Sequence, residues 1–389
     1  MPTLLGITKY CSNNMVSNNK ILNSFLLLGV ISFMLISSIM SGIEMSSTYI
    51  SAGFVFVLLV NTLLSSQLRV TGYMVIIVVA LLGHLFATTD KITSVILMVS
   101  IMFLYEMMKQ YDFSYKIVIY PFLLLVVIGF VFTLPQMLNS LLVAHANRSD
   151  LYEGIFINAN SNAAFYLMAI MSAVLFLETP YLRNIFVVIC IICVYSCGSR
   201  NGILCLFTSL LFYELLKSKY HRYTIGVFFL ILLAAVFYLV FVEVTHSIDF
   251  KFMGKDGNSA GRSEQIIYII NHFSVNLFGY GKDVINGATV KLQGFAVHNF
   301  YVCSLYSSGI IIMAAYLYFI YNLFHKLCSL AAKAFLLSFN IYFFFEPGLC
   351  YYYAFINVFP IVIALLKYNE ERMQIVLGEN DKYCDYGYN

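Results

Sequence analysis

The chain reads as an all-α, polytopic membrane protein of about twelve transmembrane helices with one large outside loop containing an amphipathic helix. Three observations predict this. Hydrophobic residues fill 61% of the 389 positions and charged residues 11%, whereas a soluble domain is nearer half apolar and a quarter charged. Apolar runs of roughly 17–25 residues, long enough to cross a hydrocarbon core, recur between polar interruptions. One stretch, 244–298, is too polar to enter a bilayer, and its alternation of apolar and polar residues is not low-complexity. The mean hydropathy of +0.85 fits a single integral membrane domain over 1–389.

Taken in order, the predicted spans lie near 21–41, 48–64, 70–87, 92–108, 115–134, 161–178, 183–198, 201–216, 223–243, 299–322, 329–345 and 349–366. Residues 1–20 are polar, and no small-residue cleavage site follows the first apolar run, so Ile21 onward reads as a retained anchor. Pro121 and Pro360 fall inside spans, whereas Pro135 and the others read as helix ends. The broken-helix pairs of an inverted-repeat transporter are not evident.

Basic residues set the orientation. Lys217-Ser218-Lys219-Tyr220-His221-Arg222 is a strong inside anchor, and with the other short loops it places both termini inside. The 244–298 loop then faces outward. Arg200 breaks the rule, because Gly198-Ser199-Arg200-Asn201-Gly202 is a short outside turn. A net charge of +3 suggests no nucleic-acid partner. The nine cysteines show no framework; Cys190, Cys193 and Cys197 lie in one apolar run and read as small hydrophobes rather than metal ligands.

The chemistry-bearing residues gather on the outside. Arg200 precedes a helix start, where backbone N–H groups and a guanidinium could meet a phosphate; a headgroup anchor is the equal alternative. Arg262 follows Gly261 and opens the amphipathic segment 263–273, where pairing with Glu264 or Asp256 is the structural alternative. His298, followed by Asn299, stands where the loop re-enters the membrane; it suits proton transfer near neutral pH or simply an interfacial position. A second outside loop, 135–160, has a surface-helix pattern in Met137, Leu138, Leu141 and Leu142. It closes on Asn158-Ala159-Asn160-Ser161, amides that could bind sugar hydroxyls, with Asn160 and Ser161 read as helix caps. His84, His246, His272 and His325 read as structural, as do Glu106 and Lys109; Asn61 and Asn340 read as interhelical bonding groups.

The order of these motifs resembles the O-antigen ligase and polymerase superfamily. The matching residues are Ser199-Arg200-Asn201-Gly202, Gly261-Arg262, Phe278-Gly279-Tyr280-Gly281, and His298-Asn299 followed by Ser308-Gly309-Ile310-Ile311. The 154–163 stretch is similar to that family's asparagine-rich helix start. The resemblance covers mainly 150–325. Ala159 replaces the usual proline, Tyr306-Ser307-Ser308 lacks an acidic residue before the glycine, and the chain has no tryptophan to follow Gly261-Arg262.

The resemblance implies a Wzy-type O-antigen polymerase, a glycosyltransferase using undecaprenyl-diphosphate-linked oligosaccharides as donor and acceptor at the periplasmic face of a Gram-negative inner membrane. Arg200 and Arg262 would hold the diphosphate and His298 would accept the acceptor's proton. Asn158, Asn160 and Asn299 would complete substrate binding, with no cofactor and no metal. A chain-length regulator and a flippase would be partners. An O-antigen ligase acting on lipid A–core is the nearest alternative, and a lipid-linked-oligosaccharide flippase is the non-enzyme one.

Overall fold

The computed structural model describes residues 20–32, 34–36, 69–88, 95–142, 154–156, 158–245, 251–252, 255–256, 262–291, 299–346 and 354–376. The helices are α1 (Lys20–Ile36), α2 (Gly72–Ala87), α3 (Ile96–Met108), α4 (Tyr115–Leu142), α5 (Ala159–Phe176), α6 (Pro180–Ser196) and α7 (Arg200–Lys217). They continue with α8 (Thr224–Thr245), α9 (Arg262–His272), α10 (Lys282–Lys291), α11 (Phe300–Lys326), α12 (Leu330–Phe344) and α13 (Ala354–Val376). A two-residue antiparallel hairpin, β1 (Lys251–Phe252) with β2 (Lys255–Asp256), lies in the stretch expected to be the outside loop. The protein is a helical, multi-pass membrane protein. Among the described residues α4, α5 and α11 are long and apolar enough to cross a bilayer, and shorter apolar helices accompany them. The expected helix over 48–64 lies outside the described residues.

Two expectations about element ends are corrected. Pro135 does not end a helix: α4 runs through both Pro121 and Pro135 to Leu142. In apolar surroundings every backbone group outside the helix is costly, so a proline is carried inside it. Met137, expected on a surface helix, is buried with its sulfur 3.6 Å from Cys193 Sγ. The cap of α5 is Asn158, rather than Asn160 or Ser161.

The third correction is the largest. The span expected as one helix over 299–322 is broken at Gly309, whose φ of 83° and ψ of 170° divide α11 into limbs 300–308 and 310–326. Sixteen residues of straight helix would separate Phe300 from Tyr316 by about 24 Å. Their ring centroids are 5.1 Å apart, and the hydroxyls of Tyr301 and Tyr316 both reach Asn340 Oδ1, at 3.0 and 3.5 Å. The short limb therefore doubles back beside the long one.

The bend is held by 276–281. Tyr280 N donates to Tyr306 O and Gly281 N to Ser307 O, each at 2.9 Å. Ile310 N donates to Asn276 O at 3.0 Å and Ile311 N to Leu277 O at 3.3 Å. The backbone groups freed by breaking the helix are thus satisfied by the inserted segment. A Cβ on Gly279 would lie 2.1 Å from Ser307 O and one on Gly309 2.4 Å from Leu277 O, so the crossing requires both glycines. His84 fixes the far side, its Nδ1 lying 2.6 Å from Phe278 O, and Gly83 leaves room for the Phe278 ring.

Candidate functional site

Three helix N-termini and one helix C-terminus build the site. At the first, Asn158 has extended backbone angles and its Oδ1 accepts from Asn160 N at 2.8 Å, capping α5. Asn162, fully buried, clamps the preceding turn, accepting from Phe156 N and donating to Phe156 O. At the second, Ser199 Oγ accepts from Gly202 N at 3.1 Å and caps α7. The two helices touch closely because Gly202 faces Ala163; a Cβ there would sit 2.7 Å from the alanine methyl.

That approach lets Ser199 Oγ donate to Asn160 Oδ1 at 2.7 Å. Asn160 Nδ2 then donates to Glu346 Oε1 at 2.9 Å, and Asn201 Nδ2 donates to the same oxygen at 2.5 Å. The carboxylate accepts only, which fixes both amide orientations. Tyr342, one turn earlier on α12, donates its hydroxyl to Asn160 O at 3.2 Å. Glu346 is 8% exposed, just past the C-terminus of α12, and Asn201 is 7% exposed. A buried carboxylate is costly unless hydrogen-bonded, and two amides from two helices supply those bonds.

The third N-terminus is that of the doubled-back limb of α11. Asn299 Oδ1 accepts from Val302 N at 2.9 Å and its carbonyl from Cys303 N at 3.0 Å. Phe300 packs on Phe343 and Tyr301 on Phe344, with ring centroids 5.8 and 6.4 Å apart. The first turn of α11 thus meets the last turn of α12, just before Glu346. Asn299 is 1% exposed and its Nδ2 has no hydrogen-bond partner among the described residues. Leaving such a group unpaired costs about 1–3 kcal/mol.

Among the residues expected from sequence, Asn158, Asn160, Arg200 and Asn299 stand on these three N-termini. Arg200 is the first residue of α7 and half-buried, directly between the Ser199 and Asn201 contacts. Arg262 opens α9, which packs against α8, α10 and α11 and buries Gln265 and Ile269. His298 lies outside the described residues. Both amide atoms of Asn160 bond protein groups, Oδ1 to Ser199 and Nδ2 to Glu346, and so join the ends of α5, α7 and α12. In the inserted segment, Ser274 and Asn276 hydrogen-bond the Tyr280 phenol and hold its pKa below the ordinary tyrosine value.

Glu346 was missed. Its signal is one carboxylate at the end of an apolar run, Ile341-Tyr342-Phe343-Phe344-Phe345, followed by Pro347-Gly348. An ionisable residue in such surroundings calls for partners, but nothing local says that they come from α5 and α7. No group of His, Cys, Asp and Glu able to hold a metal occurs among the described residues.

A multi-pass helical membrane protein with helix N-termini gathered on a polar centre is the class this architecture defines. Residues 185–317 match the family described as O-antigen ligase, a stretch that includes α7, α9, the inserted 276–281 segment and the bend of α11. That match supports the likeness to the O-antigen ligase and polymerase superfamily over this stretch, about a third of the chain. No curated protein matches the chain.

Proposed function

We propose that this protein is an O-antigen polymerase with about twelve spans in the inner membrane, both termini cytoplasmic and the site periplasmic. It joins undecaprenyl-diphosphate-linked repeat units. The carrying observation is the gathering of the α5, α7 and α11 N-termini, with Arg200 on one of them, inside a chain whose 185–317 region matches the O-antigen ligase family. Each helix N-terminus carries partial positive charge and outward N–H groups, a natural place for phosphate.

In the reaction, Arg200 and Arg262 hold the donor's diphosphate and stabilise the charge that builds on it as the glycosidic bond breaks. His298 accepts the proton of the attacking sugar hydroxyl. The anomeric carbon exchanges its bond to diphosphate oxygen for one to the acceptor oxygen, and lipid diphosphate leaves. Asn158 and Asn299 provide further substrate contacts, and Glu346 fixes the α5 and α7 N-termini relative to each other. A chain-length regulator and a flippase act alongside.

The family match favours a second reading, an O-antigen ligase passing the glycan to lipid A–core. Deletion of the gene followed by lipopolysaccharide gel analysis separates them. Loss of the ladder with one repeat unit still on the core is expected for the polymerase; bare core would make the protein the ligase or a flippase. Complementation with Arg200→Ala or Arg262→Ala should fail to restore the ladder while the protein still reaches the membrane. A ladder restored by both would return these arginines to headgroup and surface contacts.

A further inference from the structure

We propose that the capping end of α11 is a phosphate-oxygen site, in which Asn299 Nδ2 donates a hydrogen bond to a non-bridging oxygen of the donor's diphosphate. This rests on the lipid-diphosphate reading above and gives it an atom.

The orientation of the amide is fixed. Asn299 Oδ1 accepts from Val302 N at 2.9 Å, and exchanging oxygen for nitrogen would set two donors against each other. Nδ2 is therefore a donor held in place by the cap, buried, and without a partner among the described residues. A group of this kind accommodates an acceptor and rejects a donor. A sugar hydroxyl can accept there as well, and it is the partial positive charge of the helix N-terminus that favours an anionic phosphate oxygen.

The bend adds the electrostatics. Because Gly309 turns the limb 300–308 back on 310–326, the N-terminus of that limb lies against Tyr316 and Phe343 inside the protein. A straight helix would carry it about 24 Å away from Tyr316 along the axis. The N-terminal partial charge of about half an elementary charge is thereby placed in surroundings of low dielectric, where it acts most strongly on an anion. Discontinuous helices in membrane proteins use their inward N-termini in this way. The packing of Tyr301 on Phe344 sets this N-terminus beside the α12 end from which Glu346 reaches α5 and α7.

The test uses the full-length protein in nanodiscs and undecaprenyl diphosphate, without sugars, as competitor of a fluorescent lipid diphosphate. Asn299→Ser and Asn299→Asp both keep an N-cap acceptor, so the helix start is preserved and folding is checked by thermal denaturation. Loss of one hydrogen bond to a charged group corresponds to about 10–100-fold weaker binding. Asn299→Ser should show a loss of this size and Asn299→Asp a larger one, because it sets a carboxylate against phosphate. The unliganded thermal transition of Asn299→Ser should be unchanged or higher, since the orphaned donor is gone. If wild type binds and both variants bind equally well, the phosphate-oxygen site is wrong while the lipid-diphosphate reading stands. If wild type itself does not bind, that reading fails and this inference falls with it.

Discussion

The two ends of the bundle handle buried polarity differently. At the end opposite the candidate site, acid meets base: Arg372 lies 2.6 Å from Asp112, Lys109 2.7 Å from Glu106 and Lys367 2.8 Å from Glu370. Polar side chains there also close the loops. Arg372 donates to Lys109 O and Tyr111 O, Asn369 to Met108 O and Tyr111 O, and Glu371 accepts from Cys328 N and Ser329 N to cap α12. At the site end, the carboxylate of Glu346 is held by neutral amides from the α5 and α7 N-termini, and the α11 N-terminus packs on the last turn of α12. The first arrangement cancels charge and fixes chain direction. The second brings helix N-termini, with their partial positive charge, to one end and leaves Asn299 Nδ2 without a partner among the described residues.

Substitutions can break that contrast. The largest effect is expected from Gly309→Ala, which forces a side chain into a φ of 83° and sets its Cβ 2.4 Å from Leu277 O. Backbone strain alone is about 1–3 kcal/mol, and the overlap is with backbone that cannot step aside. Thermal stability in detergent and glycan transfer should be lost together; a variant with normal stability would mean that the bend is not needed for folding. His298→Ala should separate the two properties. Loss of a general base costs about 10²–10⁴-fold in rate, so transfer should collapse while the thermal transition and donor binding stay at wild-type values. Weakened donor binding with normal turnover at saturating donor would instead make His298 a phosphate ligand.

Smaller effects sharpen the comparison. Glu346→Gln keeps an acceptor for Asn160 and Asn201 but turns two charged hydrogen bonds into neutral ones, a loss of about 1 kcal/mol for each. A fall in both stability and transfer is expected, since the α5 and α7 N-termini would no longer be held in register; wild-type transfer would remove Glu346 from the site. Arg372→Met at the other end should lower stability by about 2 kcal/mol through lost charged hydrogen bonds, with transfer per folded molecule unchanged. A reduced turnover number would show that the two ends are coupled. Asn158→Ala is the mildest, about 1 kcal/mol for a lost helix cap, read as a small drop in the thermal transition.

Sequence legibility followed what each pattern could encode. Hydropathy and length placed α5, α7, α8, α11 and α12 close to their observed positions, because a bilayer imposes a length on apolar runs. Hydropathy could not say which helices are central. The span in α4 has a mean hydropathy of 2.8 and is 33% buried, whereas α5 has 1.4 and is 78% buried. The less apolar helix lies inside, where its Asn160 and Asn162 find protein hydrogen-bond partners that lipid would not supply.

The sequence by itself determined the membrane class, the superfamily motifs and the candidate residues Arg200, Arg262, His298 and Asn299, since composition and short spacings are local properties. It also contained Gly279 and Gly309 without revealing that they meet. Only the tertiary structure decided that 276–281 inserts into α11, that the short limb turns its N-terminus inward, and that Glu346 joins α5 to α7. Each of these depends on hydrogen bonds between residues tens to hundreds of positions apart, and a backbone group freed by a broken helix does not announce in sequence which distant segment will satisfy it.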